Sequence, residues 1–184
     1  METINSALSG EALISVMQKR GDAIVAQVRN AVQMQRKKLE SYRDQLSAAQ
    51  EVARAAAAQG DRSENAELQT AYAEISQLTI QITSYSASIE AHDRLFESEN
   101  EAKLAGGSSG VCSIGSVVCI SDVSTPGAPT WVIKLYPAGL GNAKIGAISM
   151  DTPLGRALSG HVAGDDVVVR APNRDVSYHI KEVI

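Results

Sequence analysis

Three carboxylates at regular spacing are the residues of this chain best placed to act together. Asp61, Glu64 and Glu67 follow Gly60 at three-residue intervals, which brings their side chains near one another at the start of a helix. Gly60 suits a chain reversal because glycine accepts backbone conformations that other residues avoid. We therefore expect three acids at a turn that opens a helix.

The same stretch also has a purely structural interpretation. Asp61 and Glu64 fit a capping box, in which the first side chain accepts from a helix N–H and the second reaches back to the backbone. Acids in a first turn also oppose the positive end of the helix dipole. The position of the stretch within the chain must decide between a cap and a functional site.

Two long heptad patterns flank the acids. From Ile14 to Ala56, and again from Leu68 to Phe96, the stripe positions recur in alternating steps of three and four residues, as in a coiled coil. Only a few residues around Gly60 join the two patterns, so an antiparallel helical hairpin buries both stripes most simply. The hairpin is predicted to carry the acids at its tip.

The first heptad pattern contains two weak positions. Gly21 has a low helix propensity, and Gln35 places a polar side chain on the seam, where water can enter. The pattern is also weaker before Val25, and there Met17 and Ile24 are candidates to take over the buried stripe. Residues 1–10 are polar and are expected to fray.

Composition changes near residue 105. Up to residue 104 the chain contains almost no glycine or proline, whereas the remainder is rich in glycine, proline, valine and isoleucine. We predict a coiled-coil hairpin over residues 1–104, a glycine- and serine-rich linker over 105–113 and a C-terminal domain over 114–184.

The C-terminal segment is predicted to form β-structure around one helix. Asp151 or Thr152 caps this helix, with Pro153 in its first turn and Gly160 after its end. Five runs rich in valine and isoleucine are separated by turn residues. These runs are Ser116–Val123, Thr130–Tyr136, Lys144–Ser149, Asp166–Ala171 and Val176–Val183. The predicted fold class is therefore α+β, with a hairpin followed by a small antiparallel sheet domain.

Charge and cysteine content limit the classes of function. The formal net charge is −4, and residues 61–104 hold nine acidic and three basic side chains, which disfavours tight non-specific binding to nucleic acid. Residues 36–38, an Arg-Lys-Lys run, are interpreted as a solvated face, and a contact with phosphate or an acidic partner is left open. Cys112 and Cys119 lack a metal-site pattern, so we interpret them as buried thiols of a reduced compartment.

The sequence also bears on location and assembly. The N-terminus lacks a basic region followed by an apolar core, and no apolar run approaches the ~18 residues of a membrane span. We expect a cytoplasmic protein with no membrane partner. Nothing in the sequence favours stable self-association, so we expect a monomer.

Two parts of the chain resemble the Gre-type bacterial transcript cleavage factors. Residues 60–68, Gly-Asp-Arg-Ser-Glu-Asn-Ala-Glu-Leu, resemble the tip of their coiled coil. Residues 148–160, 164–172 and 178–183 resemble their FKBP-like C-terminal domain. The order of the parts is also that of the family, and the resemblance covers most of the chain.

The resemblance implies a function for the tip. In that family the coiled coil enters the secondary channel of RNA polymerase, and the globular domain docks at the rim of the channel. The family's functional acids match Asp61 and Glu64, which help the polymerase hold a second Mg²⁺ and orient the water that hydrolyses the 3′ end of backtracked RNA. Two carboxylates suit Mg²⁺, a hard ion that keeps several waters. The factor would then be no enzyme itself and would hold no cofactor of its own.

The resemblance also implies partner contacts elsewhere. Asp151, Thr152 and Pro153 lie in the region that contacts the polymerase in the family, and a capping role is compatible with that contact. Asn65 and Glu67 flank the functional acids and help to hold the tip. DNA binding is a further expectation that the resemblance carries.

Departures from the family pattern keep other functions open. Both hairpin arms look longer than in the family, Ala57 stands where an arginine is common, and Leu68 and Tyr72 replace an aromatic and a basic residue. A secondary-channel binder that inhibits or regulates the polymerase without cleavage is the main alternative. A prolyl isomerase or peptide-binding module is disfavoured because few aromatic residues follow residue 105. A purely structural coiled coil is the remaining alternative.

Overall fold

The protein is described by a computed structural model that divides into two compact units. One unit is Asn30–Arg94, and the other joins Met1–Arg29 to Leu95–Ile184. The structure describes the backbone of residues 3–4, 10–58, 66–105, 110–123, 127, 129–170 and 175–184, and their side chains except at 3–4 and 98–105. The proposed domain boundaries at residues 104 and 114 stay predictions.

Two long helices form the N-terminal part of the chain. Helix α1 runs from Gly10 to Ala58, and helix α2 runs from Ala66 to Ala105. Their heptad-spaced apolar residues supply the buried stripes that stabilise helices of this length. Among the residues that the structure describes, no helix has the length and apolar composition needed to cross a bilayer.

Within the unit Asn30–Arg94 the two helices pack as an antiparallel hairpin, as predicted. Near their joined ends Ala53 and Ala56 pack against Leu68 and Ala71, and farther along the ring centroids of Tyr42 and Tyr85 lie 5.6 Å apart. The buried residues of the seam follow the predicted heptads; they are Val32, Leu39, Ala49, Ala53 and Ala56 on α1, and Leu68, Ala71, Leu78, Ile89 and His92 on α2.

The first turns of α1 belong to the other unit and pack on its sheet. Leu13 and Met17 pack against Val117 and other buried residues of the sheet, and the buried stripe follows Met17 and Ile24 rather than Gln18 and Val25. Gly21 lies close to this sheet, because an added Cβ would stand 2.7 Å from Cγ2 of Val117. The glycine that lowers helix propensity therefore permits close helix–sheet packing.

Among the described residues, the sheet has six strands in the order β1-β3-β2-β6-β5, with β4 also paired to β3. The strands are β1 Thr3–Ile4, β2 Val117–Asp122, β3 Thr130–Tyr136, β4 Ala147–Ser149, β5 Asp166–Arg170 and β6 Asp175–Val183. All five predicted strands are present. The short strand β1 pairs antiparallel with β3, so the expected fraying is wrong for these two residues, whose backbone pairs with an open sheet edge.

The predicted α+β fold class is confirmed with one correction to the sheet. Strand β4 runs parallel to β3, whereas every other neighbouring pair is antiparallel, so the sheet is mixed. The strand predicted from Lys144 begins only at Ala147, because Ala143–Ile145 form a 3-10 turn capped by Asn142. This turn lies within a crossover that returns the chain in the direction of β3.

Both faces of β2 are covered, which explains its continuous apolar run. Val118 and Ile120 face a core that includes Leu158 of the short helix α3, Pro153–Leu158. Cys119 lies on the opposite face, against α1. Cys112 and Cys119 are buried free thiols, as predicted, and burial raises the pKa of each to about 11.

Candidate functional site

The predicted catalytic tip lies in the connection between α1 and α2. Helix α1 ends at Ala58 and α2 begins at Ala66. Asp61 and Glu64, the predicted catalytic and metal-binding acids, lie outside the described residues, as does Asn65. Their roles therefore stay predictions. Glu67 is described; it is exposed in the first turn of α2, where an acid opposes the helix dipole.

The helix ends that frame this connection are held by small apolar side chains. Ala53, Ala56, Leu68 and Ala71 form one buried cluster, and each is at most 6% exposed. Leu68 thus has a packing role at a position where the family resemblance led us to expect an aromatic residue. Tyr72 is 57% exposed one turn further along α2, so its ring is accessible to a partner.

The basic run at residues 36–38 is largely engaged within the hairpin. The Nη2 atom of Arg36 donates to the carboxylate of Asp93 at 2.6 Å. The Nζ atom of Lys38 lies 5.6 Å from the ring centroids of Tyr42 and Tyr85. The tyrosines, Tyr85 first, raise the pKa of Lys38. Arg36 and Lys38 therefore tie the two arms together, a role that the sequence did not reveal.

The predicted partner-binding residues lie at the junction of β4 and α3. Thr152 is the N-cap of α3: its hydroxyl accepts from the N–H of Gly155 at 3.1 Å and donates to the carbonyl of Ser149 at 2.7 Å. Pro153 occupies the first helical turn, as predicted. Asp151 and Pro153 are exposed, whereas Thr152 is half-buried. The structure therefore assigns the cap to Thr152 and leaves the side chains of Asp151 and Pro153 accessible.

The carboxylate of Asp151 is bound by several donors. The hydroxyl of Ser149 contacts Oδ1 of Asp151 and lies 2.9 Å from the carbonyl oxygen of Pro137. A hydroxyl has one proton, so it donates to one of these acceptors at a time. The Ser149 hydroxyl is the chief cause of a lowered pKa of Asp151; desolvation opposes it, and the backbone N–H groups of Gly139 and Asp151 and the charge of Arg156 lower it further.

A tight turn supplies one of these donors. Leu140 N–H donates to the carbonyl of Pro137 at 3.2 Å, and Gly139 has a φ of +77°. A turn with a positive φ at its third residue favours glycine there. The N–H of Gly139 then donates to the Ser149 hydroxyl at 2.9 Å. The turn residues thus aim a backbone donor at the Ser149–Asp151 pair.

Two glycines bring the chain close to Ser149. A Cβ added to Gly141 would overlap the backbone nitrogen and Cβ of Ser149, and a Cβ added to Gly155 would overlap its carbonyl oxygen. Ser149 itself is only 4% exposed. Sequence reasoning gave Ser149 no role. The available signal was its position: Ser149 is a polar residue at the end of an apolar run, just before the Asp-Thr-Pro turn.

The donor set at the tip fits the metal that the family resemblance implies. Mg²⁺ prefers carboxylate oxygens and water as ligands. Asp61 and Glu64 both have carboxylate side chains. Within the described part of the chain, no three His, Cys, Asp or Glu side chains are grouped closely enough to hold a metal ion. A Mg²⁺ site at the tip, completed by ligands from a partner protein, therefore stays a prediction.

Comparison with known proteins supplies the family. The family model of the C-terminal region of the transcription elongation factors GreA and GreB matches residues 107–184. Transcription elongation factor GreA of Rhodopseudomonas palustris is 33% identical over 126 residues, which are 67% of this chain and 73% of that protein. GreA of Maridesulfovibrio salexigens is 36% identical over 72 residues, 39% of this chain and 44% of that protein. This chain therefore aligns with less than half the length of the Maridesulfovibrio salexigens protein.

A solved structure resembles the chain more distantly. The crystal structure of GreA factor homolog 1 (Gfh1) of Thermus thermophilus aligns with 83% of this chain and 94% of its own, at 20% identity and a TM-score of 0.36. A similarity this low adds nothing to the functional argument. The GreA protein of Rhodopseudomonas palustris, by contrast, is 33% identical over nearly three quarters of its length. The chain therefore belongs to the GreA/GreB family of transcription elongation factors.

Proposed function

We propose that this chain is an elongation factor that binds bacterial RNA polymerase through its secondary channel and stimulates the polymerase to cleave backtracked RNA. Family membership supports a polymerase partner. The observation that carries the proposal is the position of the acid pair: Asp61 and Glu64 stand in the short connection between the helix ends Ala58 and Ala66. From Asn30 to Ala58 the helical arm extends for about 42 Å at ~1.5 Å per residue.

The proposed roles of the tip acids follow from their chemistry. Asp61 and Glu64 would offer carboxylate oxygens to a Mg²⁺ shared with the polymerase and accept hydrogen bonds from the attacking water. The shared ion supplies an activated water and stabilises the leaving oxygen of the RNA. The chain itself presents and orients the acids at the 3′ end of backtracked RNA. It has no cofactor of its own and is an activator rather than an enzyme.

The sheet-bearing unit is proposed to dock at the rim of the channel. Asp151 and Pro153 are exposed at the start of α3 and can contact a partner, whereas the hydroxyl of Thr152 is engaged in the helix cap. Thr152 would then act by fixing the turn that presents its two neighbours. A cytoplasmic location and a monomeric state are part of the same proposal, and DNA binding stays a prediction.

A second function has specific support near the tip. Ala57 and Tyr72 place no positive charge at positions where the family resemblance led us to expect it, and Leu68, in place of an aromatic residue, is buried in the seam. Fewer cations near the catalytic centre would weaken contacts with RNA phosphates. A channel binder that inhibits or regulates the polymerase without stimulating cleavage is therefore the alternative.

The aromatic residues of the sheet-bearing unit argue against a prolyl isomerase. Tyr136 is fully buried. Trp131 and Tyr178 stack edge to face, with centroids 6.1 Å apart, and both pack against the core. A peptide-binding pocket needs aromatic side chains that face an open cleft. Proline-peptide turnover by the purified protein would contradict this judgement.

The test is cleavage in a halted, backtracked polymerase complex with 3′-labelled RNA. Wild type should release short 3′ fragments, and Asp61→Ala/Glu64→Ala should lower the rate by roughly 100-fold, as expected when groups that act in the transition state are removed. Glu74→Ala is the matched control, because Glu74 is an exposed acid of α2 two turns beyond Glu67. It should cleave like wild type.

The outcomes separate the two functions. A wild-type protein that binds the polymerase but only slows elongation would support the regulatory alternative. In that case Ala57→Arg, which restores a cation beside the tip, is the informative variant, because gain of cleavage would show that the missing charge is responsible. Loss of cleavage in Glu74→Ala as well as in the tip variant would contradict a specific role for Asp61 and Glu64.

A further inference from the structure

The chain contains a buried hydroxyl that contacts one exposed carboxylate and two backbone groups. Ser149 is 4% exposed, and its oxygen is shared by the N–H of Gly139, the carbonyl of Pro137 and the carboxylate of Asp151. Helix capping and sheet pairing involve the backbone of Ser149 and leave this hydroxyl free for other contacts. A buried polar group of this kind fixes its neighbours when all its bonds are made.

The geometry around Ser149 leaves little freedom. Gly141 and Gly155 approach it so closely that a Cβ at either position would overlap Ser149 atoms. Gly139 can donate to Ser149 because the turn that contains it has a positive φ. Close packing holds the backbone and Cβ of Ser149 in place. From that position its hydroxyl contacts Gly139, Pro137 and Asp151.

We propose that Ser149 is a positioning residue that fixes the carboxylate of Asp151, so that this exposed carboxylate accepts a hydrogen bond from a basic side chain of the polymerase. The inference deepens the proposed function and rests on it for the identity of the partner. Asp151 is exposed, so its carboxylate stays accessible to a partner while the Ser149 hydroxyl contacts Oδ1. An ionised acceptor held in one orientation suits an arginine or lysine donor.

Ser149 can affect the affinity for the polymerase without contacting it, because it orders the carboxylate of Asp151 before binding. A carboxylate that is already ordered loses less conformational freedom when a partner binds. The same bonds favour the charged form, which lowers the pKa of Asp151. Without the serine hydroxyl, the carboxylate would be more mobile and its pKa would be higher. Ser149 would thus act on the polymerase through Asp151.

The first test uses the free protein. A ¹³C NMR titration of the aspartate side chains should place the wild-type Asp151 midpoint below the ordinary range of an aspartate, and Ser149→Ala should move it upward. Ser159→Ala is the control, because Ser159 is exposed at the other end of α3, and it should leave the midpoint unchanged. An unchanged midpoint in Ser149→Ala would overturn the proposal, whatever the polymerase does.

The second test is a double-mutant cycle on polymerase affinity with Ser149→Ala and Asp151→Ala. In the wild-type background, Ser149→Ala should weaken binding roughly five- to tenfold, as expected for a charge-assisted hydrogen bond. In the Asp151→Ala background it should have almost no effect, because the residue through which it acts is absent. An equal loss in both backgrounds would show a merely structural role and overturn the proposal.

The two tests also distinguish failure of the inference from failure of the proposed function. If wild type does not bind polymerase, the proposed partner is wrong, and the titration alone then decides whether Ser149 controls Asp151. Circular dichroism and thermal unfolding of each variant check that the fold is retained. An unfolded Ser149→Ala would be replaced by Ser149→Cys, whose thiol is somewhat larger than the hydroxyl but is a weak donor; it should shift the Asp151 midpoint in the same direction.

Discussion

The helix ends on either side of the predicted acidic tip and the β4–α3 junction are held together by different means. At the tip, a cluster of Ala53, Ala56, Leu68 and Ala71 closes the helix ends below the loop. At the junction, Asp151 is bound directly by the hydroxyl of Ser149. Non-directional packing thus frames one acidic site, whereas oriented hydrogen bonds fix the other.

This difference indicates how each region should respond to substitution. Asp61 and Glu64 lie in the connection beyond the packed cluster, so changing them should alter chemistry with little change in the free energy of unfolding. The junction is interlocked with the core through Gly155 and Leu158. Changes there should affect folding stability and partner binding together.

The largest effect on the fold should come from Gly155→Ala. In most helices this change stabilises by up to about 1 kcal/mol because alanine has the higher propensity. Here the new Cβ would overlap backbone atoms of Ser149 and Met150, which cannot move aside as a flexible side chain can. We expect the free energy of unfolding to fall by roughly 2–3 kcal/mol, as for overpacked cores, measured by urea denaturation.

The neighbouring Arg156→Ala is the control for this substitution. Arg156 is exposed on the same helix, so its replacement should change the free energy of unfolding by no more than about 0.5 kcal/mol. If Gly155→Ala proved more stable than wild type, the close approach of α3 to Ser149 would be wrong. The interlocked junction would then lose its structural basis.

A substitution on the hairpin seam, Gln35→Leu, is expected to have a smaller effect of opposite sign on the free energy of unfolding. The Oε1 atom of Gln35 is buried without a hydrogen-bond partner among the described residues, at the position where the sequence predicted a weak point. Gln35→Leu removes this desolvated acceptor and extends the apolar stripe. We expect the free energy of unfolding to rise by about 1 kcal/mol, measured by the same denaturation.

Gln33→Leu provides the comparison for Gln35, since Gln33 lies on the exposed face of α1 two residues away. It should leave the free energy of unfolding nearly unchanged. If Gln35→Leu were destabilising, an additional partner of the Gln35 amide would have to be sought. The view that Gln35 is a weak point of the seam would then fail.

The hairpin could be predicted from sequence because its signal is periodic and local. Val32, Leu39 and Ala53 are buried at the heptad positions assigned to them. The stripe shifts before Val25 because the first turns of α1 pack on the sheet rather than on α2 alone, and Met17 contacts Val117 there. A periodicity rule that considers one helix cannot register a second packing partner.

The sheet shows the complementary limit. Strand positions followed from runs of valine and isoleucine, but the parallel pairing of β4 with β3 depends on the path of the chain between them. The role of Thr152 as the helix cap could be predicted from its residue type and its spacing from Pro153 and Gly160. The role of Ser149 depends on Gly139 and Gly141, which come from a turn about ten residues earlier. Such convergence is a tertiary property.

The basic run teaches a similar lesson. Its charge alone left open a contact with phosphate or an acidic partner. Instead Arg36 pairs with Asp93, 57 positions away in the chain, and Lys38 lies over the rings of Tyr42 and Tyr85. Asp93 and Tyr85 come from the opposite arm of the hairpin, so these contacts follow from the register of the two helices and not from the composition of either.

One titration tests whether the tip acids act in cleavage while Asp151 acts in binding to the polymerase. Cleavage of a backtracked transcript would be measured against factor concentration for wild type, Asp61→Ala/Glu64→Ala and Asp151→Ala. The tip variant should keep the half-saturating concentration and lose roughly 100-fold in maximal rate. Asp151→Ala should raise the half-saturating concentration roughly tenfold and recover the wild-type rate at saturation. If both variants changed the same parameter, the proposal that one acidic site acts and the other docks would be contradicted.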